Sequence, residues 1–131
     1  MRMTPPIGVL VVEDDDEARG LLAEFLMHEG FHSIMAANGR EALARLAYVR
    51  PDVVITDLEM PVMNGVELVR ALSQLAGEMP IPIIVSTSFD EDGARRELAD
   101  VASFVRVILR KPFVLSALVD AIATCLGKNA P

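Results

Sequence analysis

Val53-Val54-Ile55-Thr56-Asp57-Leu58-Glu59-Met60-Pro61-Val62-Met63-Asn64-Gly65 is the stretch on which the fold turns. Its first residues read as a short apolar strand that ends on an aspartate. Pro61 and Asn64-Gly65 punctuate a loop, and a new amphipathic run follows. An apolar strand delivering one carboxylate to a loop is how an α/β protein sets a reactive group at the edge of its sheet. Taken alone, Asp57 reads as a turn residue, because Asp is common where strands end. Its surroundings decide between the two.

Toward the N-terminus, Ile7–Val12 is a continuous apolar run of strand length that stops at Glu13-Asp14-Asp15-Asp16. Ala18, Leu21, Leu22, Phe25 and Leu26 then recur at helical spacing. One of the later acids caps this helix and Gly30 closes it. Asp15 and Asp16 read as first-turn acids favoured by the helix dipole. His32–Ala37 is a weaker strand, and Asn38-Gly39 starts a helix with Ala42, Leu43, Leu46 and Ala47 inward.

Toward the C-terminus, Leu68, Val69, Leu72 and Leu75 mark a third helix, and Pro80 and Pro82 frame a strand over Ile81–Ser86. The charged segment 89–102 has a thin inner face at Ala94, Leu98 and Val101. A fifth strand covers Phe104–Leu109. Pro112 opens a last helix striped by Leu115, Leu118, Val119, Ile122 and Leu126.

Strand and helix alternate five times with short connections. That predicts a single α/β domain, a doubly wound parallel sheet with helices on both faces. It is expected to occupy 1–131, with an ordered core over about 7–127 and no output domain in this chain. In such sheets ligands bind beyond the carboxyl ends of the strands.

Composition narrows the function. A chain of 131 residues, 52% hydrophobic and 24% charged, suits a globular fold. A net charge of −7 disfavours nucleic-acid binding, which needs a basic surface. No apolar run approaches the roughly 20 residues of a membrane span, and the N-terminus lacks a signal-peptide pattern. With Cys125 as its one cysteine, the chain fits a reducing cytoplasm. Cys125 reads as a core residue, and His28 and His32 as surface residues.

The residues just past the strands form a constellation: Glu13 and Asp14, Asp57, Ser86-Thr87-Ser88, and Lys111-Pro112. Carboxylates crowded at one edge repel unless a hard cation sits among them, and Mg²⁺ favours carboxylates, water and a phosphate oxygen. Lysine suits a phosphoryl oxygen as a point charge, and a threonine hydroxyl can donate to another. Asp57 is then a nucleophile able to form an acyl phosphate.

These pieces resemble the receiver domain of two-component response regulators along essentially the whole chain. The resemblance is carried by Val-Leu-Val-Val-Glu13-Asp14-Asp15, Asp57-Leu-Glu-Met-Pro61 with Asn64-Gly65, Pro82-Ile-Ile-Val-Ser-Thr87-Ser, and Arg-Lys111-Pro112-Phe113. It implies strand order 2-1-3-4-5. It implies that Asp57 accepts a phosphoryl group from a phosphohistidine on a sensor histidine kinase or histidine phosphotransfer protein, and later loses it by autodephosphorylation. Asp14 and Asp57 would ligate Mg²⁺ directly, Glu13 through water, and Glu59 through its backbone carbonyl. Thr87 would bond the phosphoryl group and move toward it, Lys111 would pair with it, and the Lys111–Pro112 bond would be cis. A downstream protein, unnamed by the sequence, would read the result.

The chain departs from the family in two places. Ile108 stands where an aromatic usually moves with the threonine, and the Thr87–Lys111 segment is longer than usual and lacks Gly-Ala before the fifth strand. Signalling through that region is therefore expected to be altered. Glu59 and Phe89 are expected to influence acyl-phosphate lifetime, and Ser88 to leave room for the phosphoryl group. Two competing readings are a phosphate-independent interaction module of the same fold and a Mg²⁺-dependent aspartyl-phosphate phosphatase. The phosphatase reading lacks a nucleophile on the first strand and a substrate cap.

Overall fold

The computed structural model describes residues 6–75 and 80–127. Five parallel strands form one sheet: β1 (Gly8–Val12), β2 (His32–Ala36), β3 (Val53–Asp57), β4 (Ile83–Thr87) and β5 (Val105–Arg110). Their order is β2-β1-β3-β4-β5, as the resemblance implied. The helices are α1 (Asp16–His28), α2 (Gly39–Leu46), α3 (Gly65–Leu75), α4 (Glu91–Glu97) and α5 (Leu115–Cys125), with a 3₁₀ helix over Ala99–Phe104.

Burial follows the two-faced pattern. Alternate residues of the inner strands point to opposite sides. Leu10, Val12, Val54, Ile83 and Val85 join a core cluster with Leu68, Val69, Leu72, Leu98 and Val101. Val9, Val11, Val53, Ile55 and Ile84 join one with Leu26, Leu118, Ile122 and Cys125. All five residues of β1, β3 and β4 are buried. That explains their uninterrupted apolar runs.

Side chains fix the helix starts. Asp15 caps α1 by accepting the Ala18 N–H at 2.9 Å. Asn38 caps α2 through the Glu41 N–H, and Asp90 caps α4 through the Gly93 N–H, each at 2.8 Å. Asn64 and Glu67 bond each other's N–H groups at the start of α3, a reciprocal capping box. Gly30, at φ 91°, supplies the left-handed turn after α1.

The structure corrects the outer ends of the stripes. Leu21, Leu75 and Leu115 are exposed, as is Ala47, because each lies at the rim of its helix face. Pro112 does not open α5; that helix starts at Leu115, after a bend through Lys111–Pro112. The charged 89–102 segment splits into α4 and the 3₁₀ helix, whose thin inner face is nonetheless buried at Ala94, Leu98 and Val101. On β5, Arg106, Ile108 and Arg110 alternate with half-buried residues, so one face of this edge strand is left to solvent.

Candidate functional site

The residues that follow the strands are held by the sheet itself. The Glu13 N–H donates to the Ala36 carbonyl (3.1 Å), the Leu58 N–H to Ser86 (2.9 Å), and the Lys111 N–H to Thr87 (2.7 Å). Parallel pairing thus continues one step past each strand and fixes where these side chains begin. The Lys111–Pro112 peptide is cis.

The structure brings Glu13, Asp14 and Asp57 together, each offering an oxygen within 4.8 Å of the others. Glu13 and Asp57 are buried and Asp14 is exposed. Lys111 Nζ bridges the two buried acids, 3.1 Å from Asp57 Oδ2 and 3.3 Å from Glu13 Oε1. The other Glu13 oxygen accepts the Asp15 N–H at 3.1 Å. Asp57 Oδ1 is buried and has no hydrogen-bond partner. A solvent-shielded carboxylate oxygen without a donor, beside two more carboxylates and near a rim open through Asp14, fits a hard divalent cation.

The electrostatics agree with that crowding. Burial raises the Asp57 carboxyl to about 6; Lys111 opposes the shift, while Glu13 and Glu59 reinforce it. Burial also works against the charged Lys111, but Asp57 and Glu13 outweigh it and raise the ammonium's pKa. One lysine among several acids leaves the site short of positive charge.

The Glu59 side chain, expected to influence acyl-phosphate lifetime, engages the loop after β4. Its Oε1 accepts the Thr87 hydroxyl at 2.9 Å and the Ser88 hydroxyl at 3.1 Å. Burial disfavours the charged carboxylate, yet Thr87, Asp57, its own backbone and Ser88 together hold its pKa below the ordinary value. The Phe89 N–H donates to Thr87 Oγ1 at 3.0 Å. Ser88, expected only to leave room, is a donor. Asp57 opposite Ser86 is the last pair of the β3–β4 ladder, and the Glu59 contact forms just beyond it.

The loop behind Asp57 is tight. The Gly65 N–H donates to the Leu58 carbonyl at 2.8 Å. A Cβ at Gly65 would meet the Asp57 carbonyl oxygen and Leu58 Cα at 2.7 Å. Val62, at φ 71°, is the centre of a γ-turn closed by the Met63 N–H on the Pro61 carbonyl at 2.8 Å, a conformation that a β-branched residue rarely adopts. Its side chain is 66% exposed and loses little if replaced. Val62→Gly is expected to raise stability by about 1 kcal/mol, since Gly takes positive φ without a Cβ clash. Urea unfolding checks it; an unchanged or lower midpoint would show that strain at Val62 is not limiting.

A family model for the response regulator receiver domain matches residues 9–123.

The chain belongs to the response regulator receiver family.

Its function is that of a receiver, a signalling domain phosphorylated on an aspartate. The chain is 32% identical over 126 residues to the response regulator MprA of Mycolicibacterium vanbaalenii, covering 96% of this chain and 53% of that protein. This receiver chain thus spans about half the length of that relative. Among solved structures, the chemotaxis protein CheY4 of Vibrio cholerae has a TM-score of 0.83 and 32% identity, covering 92% of this chain and 98% of that one. The receiver domain of Ssk1 from Saccharomyces cerevisiae, solved with the histidine phosphotransfer protein Ypd1, has a TM-score of 0.82 and 25% identity over 95% of this chain and 91% of that one. Among the described residues of this receiver, no helix is long and apolar enough to cross a membrane.

Proposed function

We propose that Asp57 is the phosphoacceptor of a cytoplasmic signalling receiver. The observation that carries this reading is Lys111, which bridges Asp57 Oδ2 and Glu13 while Asp57 Oδ1 stays unpartnered. An oxygen of the Asp57 carboxylate attacks the phosphorus of a phosphohistidine. The new O–P bond forms as the P–N bond breaks, and the electron pair leaves with the imidazole nitrogen. Discharge is a separate hydrolysis: water attacks the phosphorus, the P–O bond to Asp57 breaks with its electron pair returning to the carboxylate, and inorganic phosphate departs with the water's oxygen and protons.

Asp14, Asp57 and the Glu59 backbone carbonyl would hold Mg²⁺, with Glu13 acting through water; the ion supplies charge neutralisation for the phosphoryl oxygens. Lys111 adds a second positive charge on a side chain that its two acid partners already position. Thr87 supplies a hydroxyl donor. The domain catalyses only its own phosphoryl transfer and loss, and turns over no metabolite.

The test uses Mg²⁺ and acetyl phosphate, with intact mass read for wild type and Asp57→Asn. One labile phosphoryl adduct on the wild type, absent from the variant, is the expected result. A wild type that takes up no phosphoryl group would favour an inert interaction module.

The donor is a sensor histidine kinase or histidine phosphotransfer protein. Beside the acids opens a cavity of about 710 Å³ whose wall includes Leu21, Leu22, Phe113 and Leu115 along with Lys111. Leu21 and Leu115 are 60% and 42% exposed, which gives the mouth an apolar rim suited to a helical protein partner. Leu21→Arg is expected to slow transfer from a phosphohistidine protein by roughly tenfold or more, the scale of one buried apolar contact. Labelling by acetyl phosphate, which needs no docking, should be unchanged. Equal loss with both donors would place the effect in the site and remove the rim from the docking surface.

A further inference from the structure

The donors that a phosphoryl group on Asp57 would need are already taken. Thr87 is fully buried and has a single hydroxyl proton, which it gives to Glu59 Oε1 while its oxygen accepts the Phe89 N–H. Ser88 gives its proton to the same Glu59 oxygen. One anionic oxygen receiving two hydroxyls is the pattern by which proteins bind a phosphoryl oxygen.

We infer that the Glu59 side chain is an internal competitor for the phosphoryl pocket, holding Thr87 and Ser88 in the resting domain and giving them up when Asp57 is phosphorylated. The inference rests on Asp57 being the phosphoacceptor. A hydroxyl with one proton cannot serve two anions, so Thr87 changes acceptor rather than gaining one. Like charge adds to the exclusion, because a phosphoryl group on Asp57 would repel the adjacent carboxylate. The displaced side chain has space nearby, in a cleft of about 490 Å³ bordered by Leu58, Met60, Asn64 and Phe89.

The resting Thr87 hydroxyl already serves one anion, the Glu59 carboxylate, and charging exchanges that bond for one to the phosphoryl group. The group released by charging is Glu59, on the β3–α3 loop. That gives a chain with Ile108 at the usual aromatic position a different moving part.

The test compares wild type, Glu59→Ala and Glu59→Gln in two measurements. In resting, metal-free protein, Glu59→Ala should shift the Thr87, Ser88 and Phe89 resonances well beyond those of remote amides. With Mg²⁺ present, titration with beryllofluoride as a phosphoryl probe should show roughly tenfold or tighter binding for Glu59→Ala, the scale of one charge-assisted hydrogen bond no longer in competition. Glu59→Gln keeps an acceptor for both hydroxyls and should gain less. Unmoved Thr87 and Ser88 resonances, or no tighter binding in Glu59→Ala, would overturn the competitor. A Gln gain equal to that of Ala would do the same for the role of the shared hydroxyls. If every form also fails to take a phosphoryl group from acetyl phosphate, the phosphoacceptor reading falls with it; normal labelling with a failed competition removes Glu59 alone.

Discussion

Asp57→Asn is expected to make the metal-free domain more stable at pH 7, by about 1–3 kcal/mol. Asp57 is buried with one oxygen unpartnered, and its pKa stands at about 6 against an ordinary 3.8. A rise of that size corresponds to about 3 kcal/mol against the charged form. Part of this is offset in the variant because Lys111 loses one of its two carboxylate partners. Between roughly pH 4 and 6 the folded protein holds a proton on Asp57 that the unfolded chain releases. Stability linked to this group is therefore fully present below the unfolded pKa and lost as pH rises through about 6. The advantage of Asn should shrink toward zero near pH 4. Urea titrations with a chelator across pH 4–7 measure it. A variant no more stable than wild type at pH 7, or a gain flat across pH, would contradict this account of Asp57. With the proposed metal site, Mg²⁺ should reverse the ranking, because a cation held only by the folded carboxylates stabilises the wild type.

The second large effect lies behind the site. Gly65→Ala would press a Cβ against the Asp57 carbonyl oxygen and Leu58 Cα at 2.7 Å, atoms of backbone that the sheet holds in place. Overpacking of this kind is expected to cost about 1–3 kcal/mol and to displace the backbone carbonyl of Asp57. Both the urea midpoint and the acetyl phosphate labelling rate should fall. Gly39→Ala is the matched control: its Cβ meets only the Met63 side chain, at 2.7–3.0 Å, and a flexible thioether can move aside. Equal losses in the two variants would mean that the approach at Gly65 is not special.

Much of this was legible in the sequence because a buried parallel strand leaves an unbroken apolar run. β1, β3 and β4 are buried along their full length, and each run stops at a residue of the site. The strand-end rule therefore grouped Glu13, Asp14, Asp57, Thr87 and Lys111 before any coordinates were needed. Weaker patterns marked what was harder to read. Leu21 and Leu115 keep helical spacing yet face outward, because periodicity alone does not say where a helix face stops being covered. The Glu59 contact depends on the register between β3 and β4, which hydropathy does not encode. Val62 gave no sign of its positive φ, since Gly, Asn or Asp are the residues that announce one.

The amides of Glu13, Leu58 and Lys111 each reach across to the neighbouring strand. The reacting side chains are consequently mounted on a continuous hydrogen-bonded frame, while the segments joining those mounts run free of it. Insertion tolerance and chemical accuracy reside in different parts of the chain. The stretch between Thr87 and Lys111, which carries α4, the 3₁₀ helix and β5, can be rebuilt while both of its ends remain tied to the same lattice. A domain made this way can change what it says to its listeners without retuning how it is charged.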